Sequence, residues 1–385
     1  MDISQGKKPV RIAWVAWITV VVLAVLASVW IDLGFLRTVT ADWPKFPVDF
    51  AVFWTAPRIP LSRIYDIETM TRAQDWIVVN PADPRPYTYP PTFLFFLQPL
   101  RAMPFMPAFL AWVAVGVVAY AAAARMIVGR VWPLALVSPA VMVAMLTGQV
   151  TLFVAAGLTA AVVWLPARPL LAGVLLGVLA TIKPQGLVLV PLALLVAGHH
   201  RALIAALVTG GAIGLASLWA HGIEVWMQWP GMLDRFSQII DAKTWIGITP
   251  KAVTRLIGLE GPAQLAVMAA GGALGVWLVV RTFRKTLDPA ERLLALTTGY
   301  YLITPYALMY ELALVQPAAV AMMLGGRGPL RRVAGLVAFT AITRPLATFM
   351  LALCALPVWP QPRAAAPPKA AAPLGPTAQG GGPGK

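Results

Sequence analysis

The sequence is poor in the residues from which most soluble active sites are built. It has one cysteine, Cys354, and three histidines, His199, His200 and His221, in 385 residues. That excludes an internal disulfide and a His/Cys metal centre with the usual number of ligands. Acids are scarce too: fifteen Asp and Glu stand against thirty Lys and Arg. No phosphate-binding loop is present, because the terminal Gly380–Lys385 run lacks the required spacing and the following Ser or Thr. There is no nucleophile elbow and no metalloprotease helix motif. The sequence therefore predicts no metal and no cofactor, and chemistry made from carboxylates, amides, hydroxyls and isolated cations.

Charged residues make up only 12% of the chain and hydrophobic ones 59%, with a mean hydropathy of +0.76. A soluble domain carries about a quarter charged residues, so this composition belongs to a membrane protein. The net charge of +15 would suggest a nucleic-acid partner on a soluble chain. In a membrane protein it reports orientation instead, since cytoplasmic loops collect Lys and Arg, and no nucleic-acid partner is expected.

A span needs about 20 apolar residues. Residues 12–33 qualify, preceded by Lys7, Lys8 and Arg11, and read as a first anchor rather than a cleaved signal. Further apolar stretches near 106–126, 131–147, 150–165, 169–182, 186–198, 202–220, 262–280, 293–304, 310–325, 333–343 and 345–356 predict an all-α polytopic protein of about 10–13 transmembrane helices. With both termini in the cytoplasm, the inner loops take nearly all of the net charge, and the outer loops nearly balance. The expected organisation is one transmembrane domain over residues 1–356 and a disordered Pro/Ala/Gly cytoplasmic tail over 357–385. Two long outer segments, about 34–104 and 221–261, contain Trp, Pro and short apolar runs suited to short interfacial helices. The Gly173, Gly177, Gly210, Gly214, Gly271 and Gly275 pairs, four residues apart, read as close helix contacts.

Ionisable and polar residues at the outer boundary are candidates for function. Asp49, among Val48, Phe50 and Phe53, suits a shielded carboxylate acting as a general base, or an N-cap for the run that follows. Tyr89, before Pro90-Pro91, suits an interface anchor or a sugar-stacking ring. Gln149, in the break Thr147-Gly148-Gln149, suits satisfaction of broken backbone or a ligand hydroxyl. Lys183, followed by Pro184 and Gln185, suits a lipid phosphate or snorkelling to headgroups. Glu311, closing Thr304–Glu311 with Tyr310, suits pairing with a cation or sugar hydroxyls, and Arg344-Pro345 repeats the cation-before-proline pattern.

Taken in order, Asp49-Phe50, Ile64-Tyr65-Asp66, Tyr89-Pro90-Pro91, Gly148-Gln149-Val150 and Ile182-Lys183-Pro184 resemble glycosyltransferase family 87, the polyprenol-phosphate-mannose-dependent mannosyltransferases. The Thr304–Glu311 stretch is similar to the family's late Pro-Tyr…Tyr-Asp-Leu segment, with Glu311 where Asp is more usual. The resemblance implies a GT-C fold in the bacterial-type inner membrane with its active site outside the cytoplasm. It implies transfer of a hexose such as mannose from a polyprenyl-phosphate-linked donor to a glycolipid or glycan acceptor, without a metal. Asp49 matches the family's base; Lys183, with Arg58 and Arg344, would hold the donor phosphate. Tyr89, Gln149, Gln185, Tyr310 and Glu311 would orient sugar or acceptor. The rival class is a transporter or flippase, although no internal repeat of two matching halves is visible.

Overall fold

The computed structural model describes residues 48–77, 84–241, 247–325 and 329–340. The proposed first anchor 12–33, Arg344 and the tail 357–385 lie outside the described residues. Within them the protein is all α, and the one β-type pairing is the isolated bridge between Gly247 and Leu308.

The described residues open with three short helices, α1 (Val48–Thr55), α2 (Ile67–Arg72) and α3 (Phe93–Leu97). Then come α4 (Phe105–Val128), α5 (Pro133–Leu136), α6 (Pro139–Thr147), α7 (Thr151–Trp164), α8 (Pro169–Ile182), α9 (Val190–Val196) and α10 (His200–His221). The remainder is α11 (Ile223–Asp241), α12 (Pro250–Leu256), α13 (Gly261–Lys285), α14 (Pro289–Ile303), α15 (Gln316–Gly325) and α16 (Pro329–Thr340). Prolines stand at the start of α5, α6, α8, α12, α13 and α14, where a missing N–H costs nothing.

Among the described residues three helices are long and apolar enough to cross a membrane: Phe105–Val131, His200–His221 and Gly261–Lys285. Only 11% to 22% of their most apolar windows is buried against protein, so most of that surface is left for lipid. The inner helices α7 and α8 differ. Each has 14 residues, a rise of about 21 Å against about 30 Å of hydrocarbon. A helix this short set in a bilayer ends within the hydrocarbon, where irregular backbone is tolerated only if protein covers it. It is covered: Gln149 and Lys183, just beyond those ends, are both buried.

Glycine sets the closest helix contacts. A Cβ on Gly173 would meet the Ala202 carbonyl oxygen at 2.2 Å, and one on Gly177 the Ala206 oxygen at 2.6 Å. Gly275 and Gly299 back onto each other in the same manner across α13 and α14. Of the six glycines in the spacings above, Gly214 faces open space instead.

The second long segment departs from the expectation of separate short helices. The runs Val225–Met227 and Phe236–Ile240 belong to one 19-residue helix, α11, which passes through Pro230. Val225, Trp229, Met232 and Phe236 recur at three- to four-residue spacing along it, and Val225 and Met232 are buried. That continuous face holds the helix together across the proline. Trp229 donates its indole N–H to the Thr88 carbonyl at 3.1 Å, and the Phe236 ring packs on Tyr306 at 5.4 Å.

Candidate active site

Helix α1 is a wedge of aromatic side chains. Phe50 packs against Phe105, Phe109 and Trp112 with ring centroids 5.5 to 6.0 Å apart. Phe53 packs against Tyr89, Phe93 and Trp112 at 5.2 to 5.7 Å. Large apolar area and edge-on ring geometry fix this short helix in place. Asp49 lies within its first turn, not ahead of it as a cap would.

Gly148 brings that wedge to the polar break after α6. It takes φ +68°, and a Cβ there would stand 2.5 Å from the Phe50 Cβ and 3.0 Å from the Phe109 ring. Both the left-handed backbone and the close approach require glycine. Trp112 ties the break to α4 through its indole N–H, 3.0 Å from the Gly148 carbonyl. The result sets Asp49 beside Thr147 and Gln149. The Gln149 side-chain oxygen accepts from the Tyr89 hydroxyl and from the Val150 N–H, each at 2.8 Å.

Lys183 follows α8 because Pro184 disfavours further helix at the residue before it; its backbone is extended at φ −143° and ψ 72°. The Thr92 hydroxyl donates to the Thr181 carbonyl, pinning the Pro90-Pro91 segment to this helix end. On the other side, Thr304-Pro305 ends α14. The chain then runs extended past Leu308, held by Ile248 N–H donating to Ala307 at 3.0 Å, into the turn Met309–Leu314. The Tyr301 hydroxyl donates to the Glu311 carbonyl at 2.8 Å and fixes that turn.

These elements unite residues far apart in the chain. The Lys183 ammonium forms an ion pair with Glu311 Oε1 and lies 3.5 Å from the Thr151 hydroxyl and 5.6 Å from the Tyr310 ring centre. Lys183 is 4% exposed and Glu311 3%, so the two ions neutralise each other out of water. Glu311 Oε2 is buried with no hydrogen-bond partner among the described residues. An ammonium has three donors, and the two partners here leave one.

Asp49 is only partly buried by surface exposure, but protein crowds it. Burial pushes its pKa from the ordinary 3.8 to about 6. Thr147, the Lys183 charge and Gln149 oppose the shift, and Glu311 adds to it. The carboxylate is thus ionised at neutral pH while holding a proton more readily than an ordinary aspartate. Burial also raises the Tyr89 hydroxyl well above its usual range, with the charges of Asp49 and Glu311 adding to it.

Of the residues singled out in the sequence, Asp49, Tyr89, Gln149, Lys183, Tyr310 and Glu311 are brought together. Gln185 is partly buried in the turn Pro184–Leu187 beside Lys183. Arg58 is turned elsewhere. It donates to the carbonyls of Trp54, Leu100, Arg101 and Met103 and stacks on the Trp54 ring at 3.6 Å. It clasps two segments of main chain. The Ile64-Tyr65-Asp66 motif has a supporting part: Tyr65 donates to the Tyr89 carbonyl at 2.8 Å, and Asp66 caps α2 through Thr69 N–H at 2.7 Å. Thr147, Thr151 and Tyr306 join the site without having been singled out; Thr147 and Thr151 flank the break, which was its one sequence signal. Among the described residues no three His, Cys, Asp or Glu side chains come together.

No curated protein and no solved structure matches the chain. The model of Glycosyltransferase family 87 matches residues 87–305, more than half of the chain. The match takes in Tyr89, Gln149 and Lys183, while Glu311 falls just after it and Asp49 well before it. An all-α membrane architecture and this match agree, and the chain belongs to glycosyltransferase family 87.

Proposed function

We propose that the protein transfers a hexose such as mannose from a polyprenyl-phosphate donor to a hydroxyl of a glycolipid or glycan, on the extracytoplasmic face of the inner membrane. The observation that carries this reading is the meeting of the Asp49 carboxylate with the buried Lys183–Glu311 pair, from three separate segments. The acceptor oxygen attacks the anomeric carbon from the face opposite the phosphate, and the configuration inverts. As that bond forms, the bond from the anomeric carbon to the phosphate oxygen breaks, and its electron pair departs with the polyprenyl phosphate. The acceptor proton passes to Asp49, acting as general base.

The spare donor of Lys183 supplies positive charge to the departing phosphate, whose negative charge grows as the bond breaks. Arg344 is a second candidate for that phosphate. Glu311 Oε2 and the Tyr310 hydroxyl suit hydrogen bonds to sugar hydroxyls, as does Gln185 on the acceptor or sugar side. Membrane lipids surround the site and bring both substrates to it in the bilayer.

The test is transfer of label from polyprenyl-phosphate [14C]mannose into a membrane lipid extract by purified protein in vesicles. Asp49→Asn should lower the rate by about 10²–10⁴-fold while the protein remains extractable and monodisperse. Wild-type turnover by that variant refutes the base assignment. Wild-type protein that moves intact donor across the vesicle without forming a new glycoside favours the flippase reading.

A further inference from the structure

The contacts around Asp49 give Gln149 a role other than binding sugar. A backbone N–H can only donate, so the Gln149 atom facing Val150 N–H at 2.8 Å must be the side-chain oxygen. The Tyr89 hydroxyl donates to the same oxygen at 2.8 Å. An amide oxygen has two lone pairs, and both are now used. The amide is thereby locked against flipping, and the group it has left to offer is its NH2; Gly148, the residue before it, packs on Phe50, the residue after Asp49, which puts this break beside the Asp49 carboxylate. Gln149 is 2% exposed, so its amide is held among protein groups.

A second donor stands at the same carboxylate. Thr147, 4% exposed, is close enough for its hydroxyl to act on Asp49, yet that oxygen meets no partner at hydrogen-bond geometry. Hydrogen bonds of catalytic groups are often long before substrate arrives and tighten afterwards.

We infer that Gln149, Thr147 and Tyr89 are positioning residues for Asp49: Gln149 and Thr147 donate to its carboxylate, and the Tyr89 hydroxyl locks the amide that does so. A carboxylate has about four lone-pair sites. Two donors hold its plane and leave the remaining sites for the acceptor hydroxyl. The other groups facing Asp49 are the Lys183 ammonium, the Glu311 carboxylate and the Tyr310 hydroxyl; none of them sets the amide. The inference rests on Asp49 being the base.

The experiment is the pH dependence of transfer from polyprenyl-phosphate [14C]mannose to a membrane lipid extract. It compares wild type with Tyr89→Phe, Thr147→Val, Thr147→Ser, Gln149→Met and Asp49→Asn. Losing a donor to an ionised carboxylate raises the pH at which it titrates. Tyr89→Phe and Thr147→Val should cut kcat by about three- to tenfold and move the acid limb up by about half a pH unit, with the donor KM unchanged. Thr147→Ser, which keeps the hydroxyl, should restore both. A rise in donor KM with the acid limb unmoved would overturn the inference, because it marks contact with sugar; unchanged kinetics would overturn it as well. If Asp49→Asn stays active, the base reading itself fails. If Asp49→Asn is dead and the others shift only KM, the inference alone fails. Should Gln149→Met not fold, Tyr89→Phe and the Val/Ser pair at 147 decide the matter.

Discussion

Asp49→Asn should remove activity and make the protein more stable. The Asp49 pKa rises from 3.8 to about 6 on folding, first because burial disfavours the ionised form. A folded state with the higher pKa binds the proton more tightly than the unfolded chain does. Its contribution to stability is fully present below pH 3.8 and is lost as pH rises towards about 6. The difference is about two units, each worth about 1.4 kcal/mol, so ionised Asp49 costs up to about 3 kcal/mol at pH 8. Asparagine keeps the shape and carries no charge. The variant should therefore be up to about 3 kcal/mol more stable than wild type at pH 8. About half that gain should remain near pH 5, and about a fifth near pH 4. Equilibrium unfolding in mixed micelles, followed by tryptophan fluorescence at pH 8, 6.5, 5 and 4, measures this directly. A variant no more stable than wild type at pH 8 refutes the reasoning, as does a gain that does not shrink with acid.

The same titration shapes the rate. Transfer should be flat above about pH 6 and fall about tenfold per unit below it, and a flat profile down to pH 4.5 would exclude Asp49 as the group responsible. The Lys183–Glu311 pair should show strong coupling. Lys183→Met or Glu311→Gln alone leaves a buried ion unpaired, at about 3–5 kcal/mol, while the double variant should recover at least about 2 kcal/mol of the summed loss. Additive unfolding free energies would argue against the pair. Gly148→Ala forces a side chain into a left-handed position and against Phe50. It should cost about 2 kcal/mol or more and most of the activity, and wild-type unfolding and turnover by this variant would contradict the wedge description.

The breaks that carry the site are visible in the sequence because polar residues and prolines interrupt apolar runs there. Gly148-Gln149, Lys183-Pro184 and Thr304-Pro305 each stop a helix for a local reason, and local reasons are written in neighbouring residues. Which breaks meet is not a local matter. Lys183 and Glu311 lie 128 residues apart, and either could have faced lipid headgroups. Arg58 shows the converse. A cation at the expected boundary reads as a phosphate ligand, but the carbonyls of Leu100, Arg101 and Met103 come within reach only when the segment before α4 folds back. Thr147 was marked only by its place at the break, and nothing local says that Asp49 arrives beside it from a different element. In the second segment Pro230 disfavours continuous helix locally, and the buried face of α11 outweighs that preference.

The arrangement of charge explains why Asp49 is the residue to test first. A buried cation and a buried anion side by side, as at Lys183 and Glu311, offset part of each other's desolvation, and removing either one leaves the other far costlier. Among the described residues Asp49 has no such partner: the Lys183 ammonium that faces it already belongs to Glu311. An unpaired carboxylate with its pKa near 6 is a standing cost, and selection for stability alone would replace it with asparagine or an apolar residue. The fold instead surrounds it with rigid support. The aromatic wedge of α1, the glycine that admits it and the indole of Trp112 on the Gly148 carbonyl all hold Asp49 where it is least stable. Such local expense held in place by its surroundings is what a reacting group requires. A residue kept merely for structure would have been moved to where it cost less.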